Sequence, residues 1–396
     1  SMLKDNYKIK NNSLIFTGVL LFFFFVSVEK RNQQFAAWER MPDVYFVGER
    51  PMMTTLDAPF WLRWAREYNE GTFGQKERLR QYPDKTQEFL KKSLKNSSTP
   101  LKYKDSVPAH LSEVSPFSKK SKISYSDVPL LSFLIAKLSK FFNQNYYLTG
   151  TLLIPFLASL FILPLGYFFF LIGVPVSGLL GGLVGTFSGA YYMRSSIGRI
   201  DTDMLNLFFP SLMALLILLA SKAKNKRLVF LYSILAGLCL LLFDWWYSKP
   251  GFTLVYFIIL VFCLFVQKIR FITILLGSLL FILFLKPENF IKSTGSISGF
   301  LKDYIYSGEK VTDLVKESES NPASFPNTST TISEVNRVPM NQVLKRVLSS
   351  SQFAWAGFIA FFGLAFFRWR VMLPLLPMLA LGSMGFFSAN RFIMYL

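Results

Sequence analysis

Nine stretches of the chain are almost continuously apolar, at about 13–29, 147–169, 171–191, 204–221, 227–243, 252–267, 270–286, 353–368 and 371–388. Each comes close to the ~20 residues that a helix needs to cross a hydrocarbon layer, and that layer admits helices but not irregular backbone. The pattern predicts an all-α polytopic membrane protein with about nine transmembrane helices. It divides the chain into an N-terminus with a first span (1–29), a first external loop (30–146), a helical bundle (147–286), a second external loop (287–352) and the last spans (353–396). The chain stops at Leu396 inside a further apolar run, so a fragment is expected. Ser1 before Met2 reads as an expression scar, and the first run has no small-residue cleavage site and reads as a retained span.

The long polar segments are uneven. From Phe60 the spacing is helical, with Phe60, Trp61 and Trp64 together, which puts Asp57 near a helix N-terminus and Pro59 in its first turn. Residues 76–122 are rich in Lys, Ser and Pro without apolar periodicity and predict a flexible loop. Over 129–142, Leu130, Leu131, Leu134, Ile135 and Leu138 oppose Lys137 and Lys140, which predicts an amphipathic helix along the outer membrane surface. The tract from Glu317 to Thr331 is disorder-prone. Gly178 to Gly185 has small-xxx-small spacing and predicts close helix packing.

Composition agrees with a membrane protein, since 52% of the residues are hydrophobic and 43 are Phe. The net charge of +19 is scattered and not gathered in one basic domain, which excludes nucleic acid as the partner. Much of it sits in Lys222-Ala-Lys224-Asn-Lys226-Arg227, Lys268-Ile-Arg270 and Arg368-Trp-Arg370. Short basic loops stay cytoplasmic, so both long polar segments face outward. Cys239 and Cys263 lie in apolar runs and form no disulfide framework, and a lone His110 in a polar loop leaves no basis for histidine chemistry.

The chemistry concentrates in Arg194-Ser-Ser-Ile-Gly-Arg199-Ile-Asp201-Thr-Asp203, a polar knot between two apolar runs. Two carboxylates one residue apart are hard oxygen ligands for Mg²⁺ or Mn²⁺ and a poor match to zinc. Taken alone, the knot reads equally as a solvated interfacial loop, with Arg199 and Asp201 as a structural pair. The topology changes that balance, because it brings Asp57, Asp201, Asp203 and Glu334 to one face. Asp244, Trp245, Trp246, Tyr247 and Arg391 join them there. The three aromatics by themselves fit an interfacial belt, and Arg63 and Arg66 fit solvated helix charges.

In this order the motifs resemble the catalytic subunit of oligosaccharyltransferase in its bacterial and archaeal single-subunit form. The matching residues are Asp57-Ala-Pro-Phe-Trp-Leu-Arg63, Arg194 with Asp201-Thr-Asp203, Trp245-Trp246-Tyr247, Thr331-Ile-Ser-Glu334, Arg346 and Arg391. The resemblance implies a GT-C-type architecture and inverting transfer of an oligosaccharide from a polyprenyl-(pyro)phosphate donor to Asn in Asn-x-Ser/Thr. It implies that Asp57, Asp201, Asp203 and Glu334 bind Mn²⁺ or Mg²⁺, and that Asp57 and Glu334 also hold the acceptor amide, with Arg194 in the catalytic set. Tyr247, Trp246 and Arg391 would bind the donor, and Arg346 would read the acceptor. The expected location is a bacterial or archaeal inner membrane, with the site on its external face. The W-W-D-Y-G motif with which the family reads Ser/Thr is missing from this sequence, and about two spans fewer lie between Tyr247 and Glu334. The rivals are another polyprenyl-phosphate-sugar transferase, which would not need Thr331–Glu334, and a transporter or flippase, which predicts carboxylates at mid-bilayer depth.

Overall fold

Helix covers all nine apolar stretches, but the backbone breaks some of them. The structure, a computed structural model, describes residues 2–73, 124–247, 251–293, 338–387 and 390–396. The side chains of 2–12, 387, 390 and 391 lie outside that description, as do the 76–122 segment, His110, the tract after Glu317 and Thr331–Glu334. Five helical stretches are long and apolar enough to cross a membrane: Ser13–Glu39, Tyr146–Leu171, Thr202–Lys222, Lys226–Trp246 and Trp369–Phe386. Two bent pairs raise the number to seven if each is one span. They are Phe271–Leu285 with Pro287–Ser293, bent by 93°, and Met340–Val347 with Ser351–Phe367, bent by 81°. Pro175–Thr186 and Phe252–Val266 are shorter helices, of 12 and 15 residues. The described chain is therefore an all-α membrane protein with five to seven candidate spans, against the nine expected. Hydropathy registers composition and misses backbone punctuation such as Gly173 (φ 84°) before Pro175, or Gly251 (φ 81°) before Phe252.

The helices are α1 (Met2–Glu39), α2 (Pro42–Tyr45), α3 (Ala58–Glu70), α4 (Leu130–Leu138), α5 (Tyr146–Ser159), α6 (Ile162–Leu171), α7 (Pro175–Thr186) and α8 (Gly189–Tyr192). After them come α9 (Phe208–Lys222), α10 (Lys226–Trp246), α11 (Phe252–Val266), α12 (Phe271–Leu285), α13 (Met340–Val347), α14 (Ser351–Phe367), α15 (Trp369–Met372) and α16 (Leu376–Phe387). A two-residue antiparallel ribbon pairs Phe46–Val47 with Arg50–Pro51. Side-chain caps start two of the helices: Asn145 Oδ1 accepts from Leu148 N at 3.0 Å, and Asn225 Oδ1 accepts from Arg227 N at 2.9 Å.

Helix α9 lies innermost, with Met213, Ala214, Ile217, Leu218 and Ala220 all fully buried. Helix α10 packs against it and α12 packs against α10, and both expose apolar stripes, Leu231, Leu235, Leu238 and Leu242 on one, Ile272, Leu275, Leu276, Leu279 and Leu283 on the other. Apolar stripes at helical spacing on the outside of a bundle belong against lipid tails. The small-residue spacing in α7 is used as expected. A Cβ at Gly178 would lie 2.8 Å from Phe169 Cβ and 2.9 Å from Gly166 O, so α7 and α6 meet backbone to backbone.

Two of the basic loops converge on the last carbonyls of α6. Lys222 Nζ donates to Leu171 O at 2.7 Å, and Arg368 Nη1 donates to Ile172 O. Cations at a helix C-terminus satisfy orphan carbonyls and oppose the dipole. The D-x-D lies at the other end of α9. Helix α4 buries Leu131, Ile135 and Ala136 against protein, so that face is not given to the membrane surface. Ser132 Oγ donates to Trp61 O at 2.9 Å, and Asn69 Nδ2 donates to Ala136 O at 2.7 Å, tying α4 to α3. Just before α4, Val128 O accepts from Trp245 Nε1 at 2.8 Å, and the Tyr125 ring lies 5.5 Å from that indole. At the far end of α3 the Phe73 ring meets Trp64 edge-on at 5.7 Å.

Candidate functional site

The polar knot is held by the last turns of α1, which runs on to Glu39. Gln34 Oε1 accepts from Ile197 N at 3.2 Å, and Phe35, Trp38 and Ile197 form a small core. Gly198 sits at φ +80°, where a side chain is strained. A Cβ there would lie 2.6 Å from Trp38 Cη2 and 2.9 Å from Met52 O. Its carbonyl accepts from Thr54 N at 3.0 Å. This single glycine therefore joins the end of α1, the 52–54 strand of chain and the knot that carries Asp201.

Asp57 follows at once, exposed, as the residue before α3, with Pro59 in the first turn as expected. Its side chain makes no capping hydrogen bond. Asp201 Oδ1 accepts from Thr202 N at 2.6 Å. Asp203 is occupied on both oxygens, Oδ2 by Arg194 Nη1 at 2.9 Å and Oδ1 by Asn206 Nδ2 at 2.8 Å. The two aspartates of the D-x-D thus differ: Asp203 is neutralised and buried, while Asp201 is not bridged in this way. Burial first, then the charge of Asp203, and after it the charge of Asp57, push the Asp201 carboxyl up to about 6, against relief from the Thr202 N–H and Arg199. Asp57 and Asp201, far apart in sequence, therefore share one electrostatic neighbourhood.

The remaining expected site residues divide. Trp246 is buried and donates Nε1 to Thr202 O at 2.8 Å, so its indole lies under the D-x-D and does not offer a face to a ligand. Tyr247, next to it, is 37% exposed. Arg346 lies in the last turn of α13, and its carbonyl lies 3.5 Å from where a Gly189 Cβ would be, five residues before Arg194. Glu334 lies outside the described residues; the Asn390–Tyr395 turn is described, but the Arg391 side chain is not. Arg63 and Arg66 pair with Glu67 and Glu70 on their own helix, at 2.6 and 3.9 Å. Asn206 and Tyr395 carry no sequence motif. Tyr395 is 3% exposed with a hydroxyl that has no hydrogen-bond partner among the described residues. Burial and the charge of Asp203 hold that phenol well above the ordinary tyrosine range.

Among the described residues no three acidic, Cys or His side chains stand close enough to hold a metal ion. The donor set still suits a hard cation. It is all oxygen, and Asp201 resists ionisation first because it is buried and then because the charges of Asp203 and Asp57 are only partly balanced. A pH dependence follows. Folding raises the Asp201 pKa from 3.8, so the folded chain holds the extra proton between about pH 4 and pH 6, and its stability falls as pH rises through that window. Asp201→Asn should flatten this slope in thermal unfolding at about pH 4 to pH 7, and Mn²⁺ should raise the melting temperature more above about pH 6 than below it. An unchanged slope would remove the crowded carboxylate from the account.

No family model matches the chain. It is similar to two proteins of Campylobacter jejuni, from subsp. jejuni serotype O:2 and from strain RM1221, each named undecaprenyl-diphosphooligosaccharide–protein glycotransferase. The identity is 23% in both cases, over 71% of this chain and 44% of the relative. The chain thus spans less than half the length of the curated relatives it matches, and the likeness is a distant one to glycotransferases of the oligosaccharyltransferase type.

Proposed function

We propose that this chain is the membrane part of an oligosaccharyltransferase, which moves an oligosaccharide from a polyprenyl-(pyro)phosphate to the side-chain nitrogen of Asn in Asn-x-Ser/Thr. The observation that carries the reading is the Thr54–Gly198 hydrogen bond, which seats the chain leading into Asp57 against the knot that bears Asp201, with Arg194 locked on Asp203. The distant likeness to the Campylobacter glycotransferases supports the same class. Carboxylates that precede helices, as Asp57 and Asp201 do, suit chemistry at a membrane edge better than ion coupling in mid-bilayer.

Asp57, Asp201 and Glu334 would hold a Mn²⁺ or Mg²⁺, and Asp203, already engaged, would orient rather than ligate. When bound, the cation supplies charge neutralisation for the departing phosphate. The protein's own groups do the rest. Asp57, exposed and without a capping partner, and Glu334 accept the two N–H bonds of the acceptor amide. That draws the nitrogen lone pair out of conjugation and orients it. The new C–N bond then forms on the face opposite the breaking C–O bond, the phosphate leaves with its electron pair, and an amide proton passes to a carboxylate. Arg391 and Tyr247 bind the phosphate oxygens, and Arg346 meets the acceptor peptide. The site would face outward from the inner membrane of a bacterium or archaeon.

The test uses the full-length protein, a polyprenyl-pyrophosphate oligosaccharide and a fluorescent sequon peptide. A glycopeptide should form with Mn²⁺ and disappear with EDTA. Transfer to a hydroxyl or a lipid, with none to the Asn peptide, would move the chain to another polyprenyl-phosphate-sugar transferase.

A further inference from the structure

Arg31 is fully buried near the end of α1. All its donor groups are engaged. Nε donates to Ser195 O at 3.1 Å, Nη1 to Ser27 Oγ and Thr186 Oγ1 at 2.9 Å each, and Nη2 to Thr186 O and Ser195 Oγ at 3.0 Å each. The Tyr192 and Phe187 rings lie 5.2 and 5.8 Å from its Cζ. Every hydrogen-bond partner is a neutral oxygen, and no carboxylate bridges it among the described residues. Burying a cation without a counter-ion costs several kcal/mol, which a Leu or Met in the same helix would avoid.

What those hydrogen bonds hold explains the cation better than packing does. They pin both ends of the stretch from Thr186, the last residue of α7, to Ser195. Arg194 precedes Ser195 directly. With the Ser195 carbonyl and hydroxyl both fixed on the guanidinium, the backbone from which Arg194 reaches Asp203 is fixed too. Gln34 and Trp38, on the same face of α1 at i+3 and i+7, brace Ile197 and Gly198 just beyond. A lysine has the charge but one nitrogen, and it cannot span Thr186 and Ser195 together.

We propose that Arg31 is a positioning residue that sets the Arg194–Asp203 pair through the backbone at Ser195. Its activity readout rests on the transferase reading above. The test is Arg31→Lys in the full-length protein. Expected is a 10- to 100-fold loss in kcat, with KM for donor and peptide within about twofold, the size of loss usual when a partner that orients a site residue is removed. In an Arg194→Lys background the same change should cost less than about threefold, since the residue it acts through is already displaced. Hydrogen exchange over 189–203 should rise in Arg31→Lys. Ser195→Ala, which removes one acceptor, should shift turnover and exchange the same way by a smaller factor and stands in if Arg31→Lys does not fold. Wild-type turnover and exchange in the variant that folds overturn the proposal, and so does an equal loss in the Arg194→Lys background. If the wild-type protein transfers nothing, the transferase reading fails, and the exchange measurement alone still decides whether Arg31 fixes the knot.

Discussion

Asp57→Ala in the full-length protein should lower glycan transfer by about 10²–10³-fold and leave thermal unfolding almost unchanged. The size is that expected when a group which acts on the reacting atoms is removed from a preorganised site. The silence in stability follows from exposure: Asp57 makes no capping hydrogen bond, and substitutions at such surface positions usually stay within about 0.5 kcal/mol. Asp201→Ala should match it in transfer and differ in stability, because its carboxyl is crowded and its removal relieves Asp203. Glu334→Ala tests the member of the set that lies outside the described residues. Transfer at the wild-type rate by Asp57→Ala would end the reading of this end of the bundle as an active site.

The second large effect is Gly198→Ala. The left-handed backbone at φ +80° costs a side chain about 1 kcal/mol. The new methyl meets Trp38 at 2.6 Å and the Met52 carbonyl at 2.9 Å, and overpacking of that kind costs about 1–3 kcal/mol more. A total near 2–4 kcal/mol is expected, read as a drop in melting temperature. Transfer should fall beyond what the lost stability explains, because the Thr54–Gly198 hydrogen bond is what seats the chain leading into Asp57. Trp38→Phe in the same protein removes the outer ring carbons and should recover part of the stability. If Gly198→Ala unfolds at the wild-type temperature, the junction is looser than its contacts imply.

The D-x-D was legible in the amino-acid order because it is local, a polar knot between two apolar runs. The meeting of Asp57 with Asp201 was legible only through topology and resemblance, since it depends on a backbone hydrogen bond between residues 54 and 198 that leaves no pattern. The unequal roles of Asp201 and Asp203 could not be read from spacing, because Asn206, one turn on, takes the second oxygen of Asp203. Trp246 looked like a ligand-facing aromatic beside Tyr247. Tyr247 lies just past the end of α10 in extended backbone, whereas Trp246, the last residue of the helix, turns inward. Arg31 escaped notice because a cation just past an apolar run resembles the start of a loop, whereas the helix continues to Glu39 and turns it into the protein. The nine apolar runs become five to seven candidate spans among the described residues, because Gly and Pro cut some runs into short helices.

The docking of Val128 on Trp245 and of Phe73 on Trp64 has a consequence for how the molecule tolerates change. The described chain on either side of 74–123 is anchored, on α3 just after Asp57 and on the end of α10 just before Tyr247. Closing a longer interval between fixed ends costs only about 0.6 kcal/mol for each doubling of its length. An insertion between 74 and 123 should therefore cost the fold little, and a melting curve of such a variant checks it.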